Sequence, residues 1–130
     1  SHQEISELPS DAPLWQGNQL ALPGSLGVLR RKLVSSGGIA ERHWLTSRIS
    51  VRRRQGGERI KLAGCQGRKK LKKMYNEAKV FPWVRDDVPL IYSDDELVAV
   101  ADLWVDERYL AAEGEVMYAV EWLHPEFSIQ

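Results

Sequence analysis

Charge is segregated along this chain, and any fold it adopts has to accommodate that. Residues 48–85 hold thirteen bases against the two acids Glu58 and Glu77, a net of +11. Residues 86–130 hold twelve acids against the single base Arg108, a net of −11. In residues 1–47, Glu4, Glu7, Asp11 and Glu41 cancel Arg30, Arg31, Lys32 and Arg42, so the formal net charge of zero hides a strongly polar molecule. Two arrangements relieve such a separation: a polyanion on the basic part, or a packing that lays the basic and acidic segments against each other.

The rest of the composition narrows the class. A chain of 130 residues, 43% hydrophobic and carrying five tryptophans, can form one compact domain with a real core but not two full domains. Residues 1–12 are polar and aperiodic and read as a tail or linker from an absent upstream domain, leaving 13–130 as a single domain. The lone Cys65 excludes an internal disulfide and a thiolate zinc cluster, in keeping with a reducing cytosol. No apolar run approaches the roughly 18 residues of a membrane span, and the start has no signal-peptide pattern, so a cytoplasmic location is expected.

Periodicity predicts short strands around one helical segment. Leu14–Trp15, Leu20–Leu22 and Leu26–Val34 read as strands, with Ser35–Gly38 a loop. Residues 48–54 alternate, Ile49 and Val51 to one side and Arg48, Ser50, Arg52 and Arg54 to the other. Gln55-Gly56-Gly57-Glu58 then reads as a hairpin loop returning through Arg59–Leu62. That register opposes Arg54 to Arg59 and Arg52 to Lys61, a like-charge alignment that destabilises a free hairpin. Over 68–79 the period becomes helical, with Leu71, Met74, Tyr75 and Ala78 on one face and Lys69, Lys70, Lys72, Lys73 and Lys79 on the rest. Pro82 opens a turn through Trp83 and Arg85. Strands are expected again at Val88–Tyr92 and Glu96–Val105, joined by a Ser93-Asp94-Asp95 turn, and in a last strand through Val116, Tyr118, Val120 and Trp122.

The arginine hairpin and the lysine helix are the strongest functional signal. Alternate residues of a strand lie roughly 6.6 Å apart, a spacing that lets several cations meet neighbouring phosphates. The opposing reading is a solvated basic face, or one neutralised by the acidic third. Tryptophans 15, 83, 104 and 122 are expected in the core, and Trp44, in a less regular stretch, is the one candidate to stack a base. Asp94, Asp95 and Glu96 cannot all converge on one cation and read as turn chemistry. His2, His43 and His124 have no ligand spacing. Ser36-Gly37-Gly38 begins like a pyrophosphate loop but continues Ile39-Ala40-Glu41, which does not cradle ATP.

Several motifs, taken in order, resemble a known family. Gly56-Gly57-Glu58-Arg59, Leu71-Lys72-Lys73 with Tyr75 and Glu77, Pro82-Trp83 with Arg85 and Pro89, Glu96-Leu97-Val98-Ala99-Val100 and Leu103-Trp104-Val105 resemble the C-terminal domain of tRNA(Ile)-lysidine synthetase over about 49–106. Two positions depart from it. Lys70 stands where members often carry a serine that would cap the helix, so the helix is expected to start earlier, near Gly67. Phe81 stands where members usually have a small residue or proline.

The resemblance implies an α+β fold, mostly antiparallel strands with one or two short helices, related to a domain of the phenylalanyl-tRNA synthetase β subunit. It implies a cytoplasmic bacterial enzyme that uses ATP to attach lysine to the wobble cytidine of the tRNA(Ile) with a CAU anticodon, moving its decoding from AUG to AUA. In that family the ATP site and the chemistry lie in an N-terminal domain outside this chain. No catalytic residue, metal ligand or cofactor is therefore assigned here. The implied partner is tRNA(Ile), held at its body and acceptor stem, with Arg52, Arg54, Arg59, Lys61, Lys69, Lys72, Lys73 and Arg85 as the expected phosphate contacts. The alternative is a protein-interaction module in which the basic segment of one copy meets the acidic segment of another. Dimerisation of the parent protein stays open.

Overall fold

The computed structural model describes residues 13–123; the expected tail 1–12, His2 and His124 lie outside them. Every strand ladder is antiparallel. One sheet runs β1 (Gln19–Ala21), β2 (Val28–Val34), β10 (Met117–Leu123) and β3 (Ile39–Ala40) in that spatial order. A second runs β4 (Ile49–Arg52), β7 (Leu90–Ser93), β8 (Glu96–Val100) and β9 (Trp104–Val105). A small ribbon pairs β5 (Arg59–Ile60) with β6 (Lys69–Lys70), and the described residues add three short α-helices, α1 (Glu41–Thr46), α2 (Leu71–Glu77) and α3 (Pro82–Arg85), and one 3-10 turn at Glu107–Tyr109.

The second sheet is apolar on both faces, which makes it the middle layer. Toward the first sheet, Ile49, Val51, Ile91, Val98 and Ala99 pack with Trp15, Leu29, Ile39 and Val120. Toward the ribbon and α2, Leu90, Leu97 and Val100 pack with Ile60, Leu71, Met74 and Tyr75. Strict alternation would put Val98 on the second face. A bulge between the Ile91 and Tyr92 pairings leaves Val98 as an extra residue, so Val98 and Ala99 both face the first sheet while Leu97 and Val100 face the helix.

The hairpin expected between residues 48–54 and 59–62 does not form. β4 pairs with β7 in the register Val51↔Ile91, and β5 pairs with β6. The physical reason is visible in the expected register itself, which stacked four cations across two strands. β7 instead offers β4 apolar neighbours, and Arg52 turns its guanidinium over the Tyr92 ring at 4.2 Å and donates to the Asp94 carbonyl. Gln55–Glu58 remains a turn, organised by the Glu58 carboxylate accepting from the Gln55 and Gly56 N–H groups.

Three further boundaries move. The helix starts at Leu71, not near Gly67, because Lys69 and Lys70 are taken into the ribbon, and Ala78 ends it exposed. The stretch Glu96–Val105 breaks into two strands at a turn through Ala101, whose φ is 44°. The less regular stretch around Trp44 is a helix, α1, with Trp44 edge-on to Trp15 at 4.9 Å.

Asp106 fastens the outer layer to the middle one. Fully buried, it accepts from the Lys61 N–H at 3.1 Å, the Arg108 N–H at 3.0 Å and the Arg108 Nε at 3.0 Å. Its own N–H donates to the Val98 carbonyl at 2.7 Å, at the bulge. Burial pushes the carboxyl up, but the hydrogen bonds from Arg108 and Lys61 outweigh it and hold the group below the ordinary aspartate range.

The Ser36-Gly37-Gly38 turn serves packing. A Cβ on Gly38 would lie 2.8 Å from Val34 Cγ2 and 3.0 Å from the Tyr118 backbone, so the loop is pressed against β10 with no room for a phosphate. Gly38→Ala is expected to cost about 1–3 kcal/mol through overpacking. A urea midpoint unchanged from wild type would contradict that packing.

Candidate nucleic-acid interface

The structure divides the basic segment into spent and unspent charge. Among the described residues, four ion pairs cross from the basic to the acidic segment: Arg52–Asp95, Arg53–Asp87, Arg54–Asp86 and Lys61–Glu107. The charge segregation is thus partly resolved inside the chain, using acids that a copy-to-copy association would need. Arg85 is also taken inward. Only 8% exposed, it donates from Nε to the Val80 carbonyl at 2.9 Å and lies over the Tyr75 ring.

Of the eight expected contacts, Arg52, Arg54, Lys61 and Arg85 are therefore held by internal partners. Lys69 is half-buried and paired with Glu77, whose carboxyl its hydrogen bond draws below the usual glutamate range. Arg59, Lys72 and Lys73 are exposed and form no ion pair among the described residues. The fold places Arg68, Lys70 and Lys79 beside them, also exposed. These were visible in sequence as charges, but a helix starting near Gly67 hid that Lys70 faces Arg59.

Local energetics here run against stability. Arg59 and Lys70 are direct cross-strand partners, a like-charge pairing that disfavours the ribbon. Lys70 is the N-cap of α2 and offers no side-chain cap, and the first turn carries Lys72 and Lys73 with no acid, where the helix dipole favours acids. Sequences break several such rules together chiefly at functional sites. The site stands on a rigid base: Leu71, Met74 and Tyr75 anchor α2, and burial pushes the Tyr75 phenol up to about 12, keeping it neutral.

Of the tryptophans, Trp44 and Trp83 fall differently from expectation. Trp15 is buried and Trp44, Trp104 and Trp122 are partly buried against the two cores, whereas Trp83 is 73% exposed. A hollow of about 330 Å³ opens beside Trp15, Trp44, Arg31 and Arg48, on the flank of the middle sheet away from α2. The Asp94-Asp95 pair forms the tight turn of β7–β8 and receives Arg52. His43 packs edge-on to Tyr109, and burial and Arg42 lower its pKa. No helix among the described residues is long and apolar enough to cross a membrane.

Comparison with known proteins adds three findings. A family model described as the TilS substrate C-terminal domain matches residues 49–122. The tRNA(Ile)-lysidine synthase of Nitrosomonas europaea is 36% identical over 129 residues, covering 93% of this chain and 28% of that protein. That of Coxiella burnetii is 42% identical over 102 residues, covering 78% and 22%. The chain thus spans about a quarter of the length of these relatives. A crystal structure of a TilS C-terminal domain superimposes with a TM-score of 0.63 at 23% identity, over 81% of this chain and 90% of that one, a likeness of fold.

Proposed function

Because the chain belongs to the TilS substrate C-terminal domain family, we propose that it is the tRNA-holding part of a cytoplasmic tRNA(Ile)-lysidine synthase. The observation that carries this reading is the unneutralised Arg59–Lys70 pair continuing into Lys72 and Lys73. Cations placed against local stability, while their neighbours are quenched internally, suit a phosphate backbone that supplies the missing counter-charge.

In this reading Arg59, Arg68, Lys70, Lys72 and Lys73 form the contact surface, with Lys69, paired with Glu77, at its edge. Arg52, Arg54, Lys61 and Arg85 hold the frame that presents it. The tRNA body and acceptor stem are gripped here, and the binding energy is used by a distant active site that ligates lysine to the wobble cytidine. ATP and the chemistry belong to the part of the protein beyond this chain.

Titrating the chain with tRNA(Ile) at several salt concentrations tests the proposal. Neutralising about five phosphates gives a slope of log affinity against log salt of roughly −4 to −5. A slope near zero would remove the phosphate interface.

A further inference from the structure

We propose that Phe81 and Trp83 form a stacking platform for an unpaired nucleobase of the bound RNA, an inference that rests on the RNA-binding reading and adds a base contact to its phosphate contacts. Phe81 is 59% and Trp83 73% exposed, and their rings lie parallel, 4.8 Å between centroids with an interplanar angle of 4°. Rings of this size are normally buried. Here a flat aromatic face is offered to solvent.

The platform is held in place before anything binds. Pro82 starts α3 at its first position, and the Val84 N–H donates to the Phe81 carbonyl at 2.9 Å. Upstream, the Val80 N–H donates to the Tyr75 carbonyl at 3.0 Å, and the buried Arg85 guanidinium closes the loop onto the Val80 carbonyl. The segment is thereby closed on itself, and it meets α2 through Val80 and through the Arg85 guanidinium over the Tyr75 ring. Arg85 is a positioning residue: turned inward, it closes the segment that carries the rings. Such pre-organisation reduces the ordering cost of binding.

Charge and area select the occupant. Lys72 and Asn76 lie one turn apart on α2, and Lys79, just beyond the helix with a φ of 59°, stands two residues before Phe81, so exposed cations lie on the approach to the rings. On the other side Asp86 and Asp87 are matched by Arg54 and Arg53. Two side chains offer at most about 500 Å² of apolar surface, short of the ~800 Å² per partner of a standard protein interface. A nucleobase needs only one ring face and a nearby phosphate site, and stacking on aromatic side chains accepts any base.

The test compares the whole chain with Trp83→Leu, Phe81→Leu and Trp83→Phe variants in tRNA titrations at fixed and varied salt. The expected result is about tenfold weaker binding for each leucine variant, near-full recovery with Trp83→Phe, and an unchanged salt slope, because no phosphate contact is lost. Trp83→Leu binding with wild-type affinity, or weakening that phenylalanine fails to rescue, overturns the platform. So does a Trp83→Leu variant that changes only the sedimentation of the chain without RNA, which assigns the rings to a protein contact. A wild-type salt slope near zero defeats the RNA reading itself, while a steep wild-type slope with an unaffected Trp83→Leu defeats this inference alone.

Discussion

Asp106→Ala is expected to destabilise the chain by about 2–4 kcal/mol, a large share of the roughly 5–15 kcal/mol that holds a typical domain together. The side chain is fully buried and its two oxygens serve the Lys61 N–H, the Arg108 N–H and the Arg108 guanidinium. Alanine strands a backbone donor of the ribbon and leaves the guanidinium, itself 44% exposed, to find water. Glu107→Ala, removing the more exposed partner of Lys61, provides the contrast at under about 1 kcal/mol. Urea unfolding followed by tryptophan fluorescence measures both. A cost for Asp106→Ala no greater than that for Glu107→Ala would show that the carboxylate is not the fastening.

The same residue predicts an acid response. Its folded pKa lies below the ordinary 3.8 because the hydrogen bonds from Arg108 and Lys61 outweigh the upward push of burial. Protons therefore bind the unfolded chain more readily, and this contribution is fully present above the ordinary value and lost as pH falls through the folded one. Wild type should lose stability on acidification below about pH 4. The Asp106→Ala curve should be flatter over that interval.

Reversing Lys72 and Lys73 together to glutamate is expected to weaken tRNA binding on the order of a hundredfold near 0.1 M salt and to make the salt slope shallower by about 2. The folded state should not suffer. Both residues are exposed in the first turn of α2, where acids suit the helix dipole; that gain offsets the new repulsion between position 73 and Glu77, so stability should stay within about 0.5 kcal/mol of wild type. Lost binding with retained stability separates a functional surface from a structural one. Lys32→Ala, at the first sheet and paired with Glu121, should leave binding unchanged. Wild-type affinity in the double glutamate variant would take α2 out of the interface.

How much of this was legible in sequence depends on the range of the interaction. The α2 face Leu71, Met74 and Tyr75 and the Pro82 turn follow from spacing a few residues long and appear in the structure. So do the Asp94-Asp95 turn and the strands around it. The hairpin from β4 to β5 failed because a glycine turn says where a chain bends, not which strand it then pairs with. β4 found β7, about forty residues onward, through the apolar contacts of Val51 and Ile91. Residue type alone places Trp83 in the core, whereas in the structure it lies outside, on a segment that the Arg85–Val80 hydrogen bond closes.

The candidate site shows the same division. Sequence by itself determined that residues 48–85 carry a large unbalanced positive charge and that part of it lies on a short amphipathic helix. It also carried the family resemblance. Only the tertiary structure decided which cations remain available: Arg52, Arg53, Arg54 and Lys61 meet acids far along the chain, and Arg85 meets a backbone carbonyl, while Arg59, Lys70, Lys72 and Lys73 are left facing solvent. The reason is physical. A charge is a property of one residue, but its neutralisation requires a partner within a few ångströms, and that distance is set by the packing of three layers whose contacts are distant in sequence.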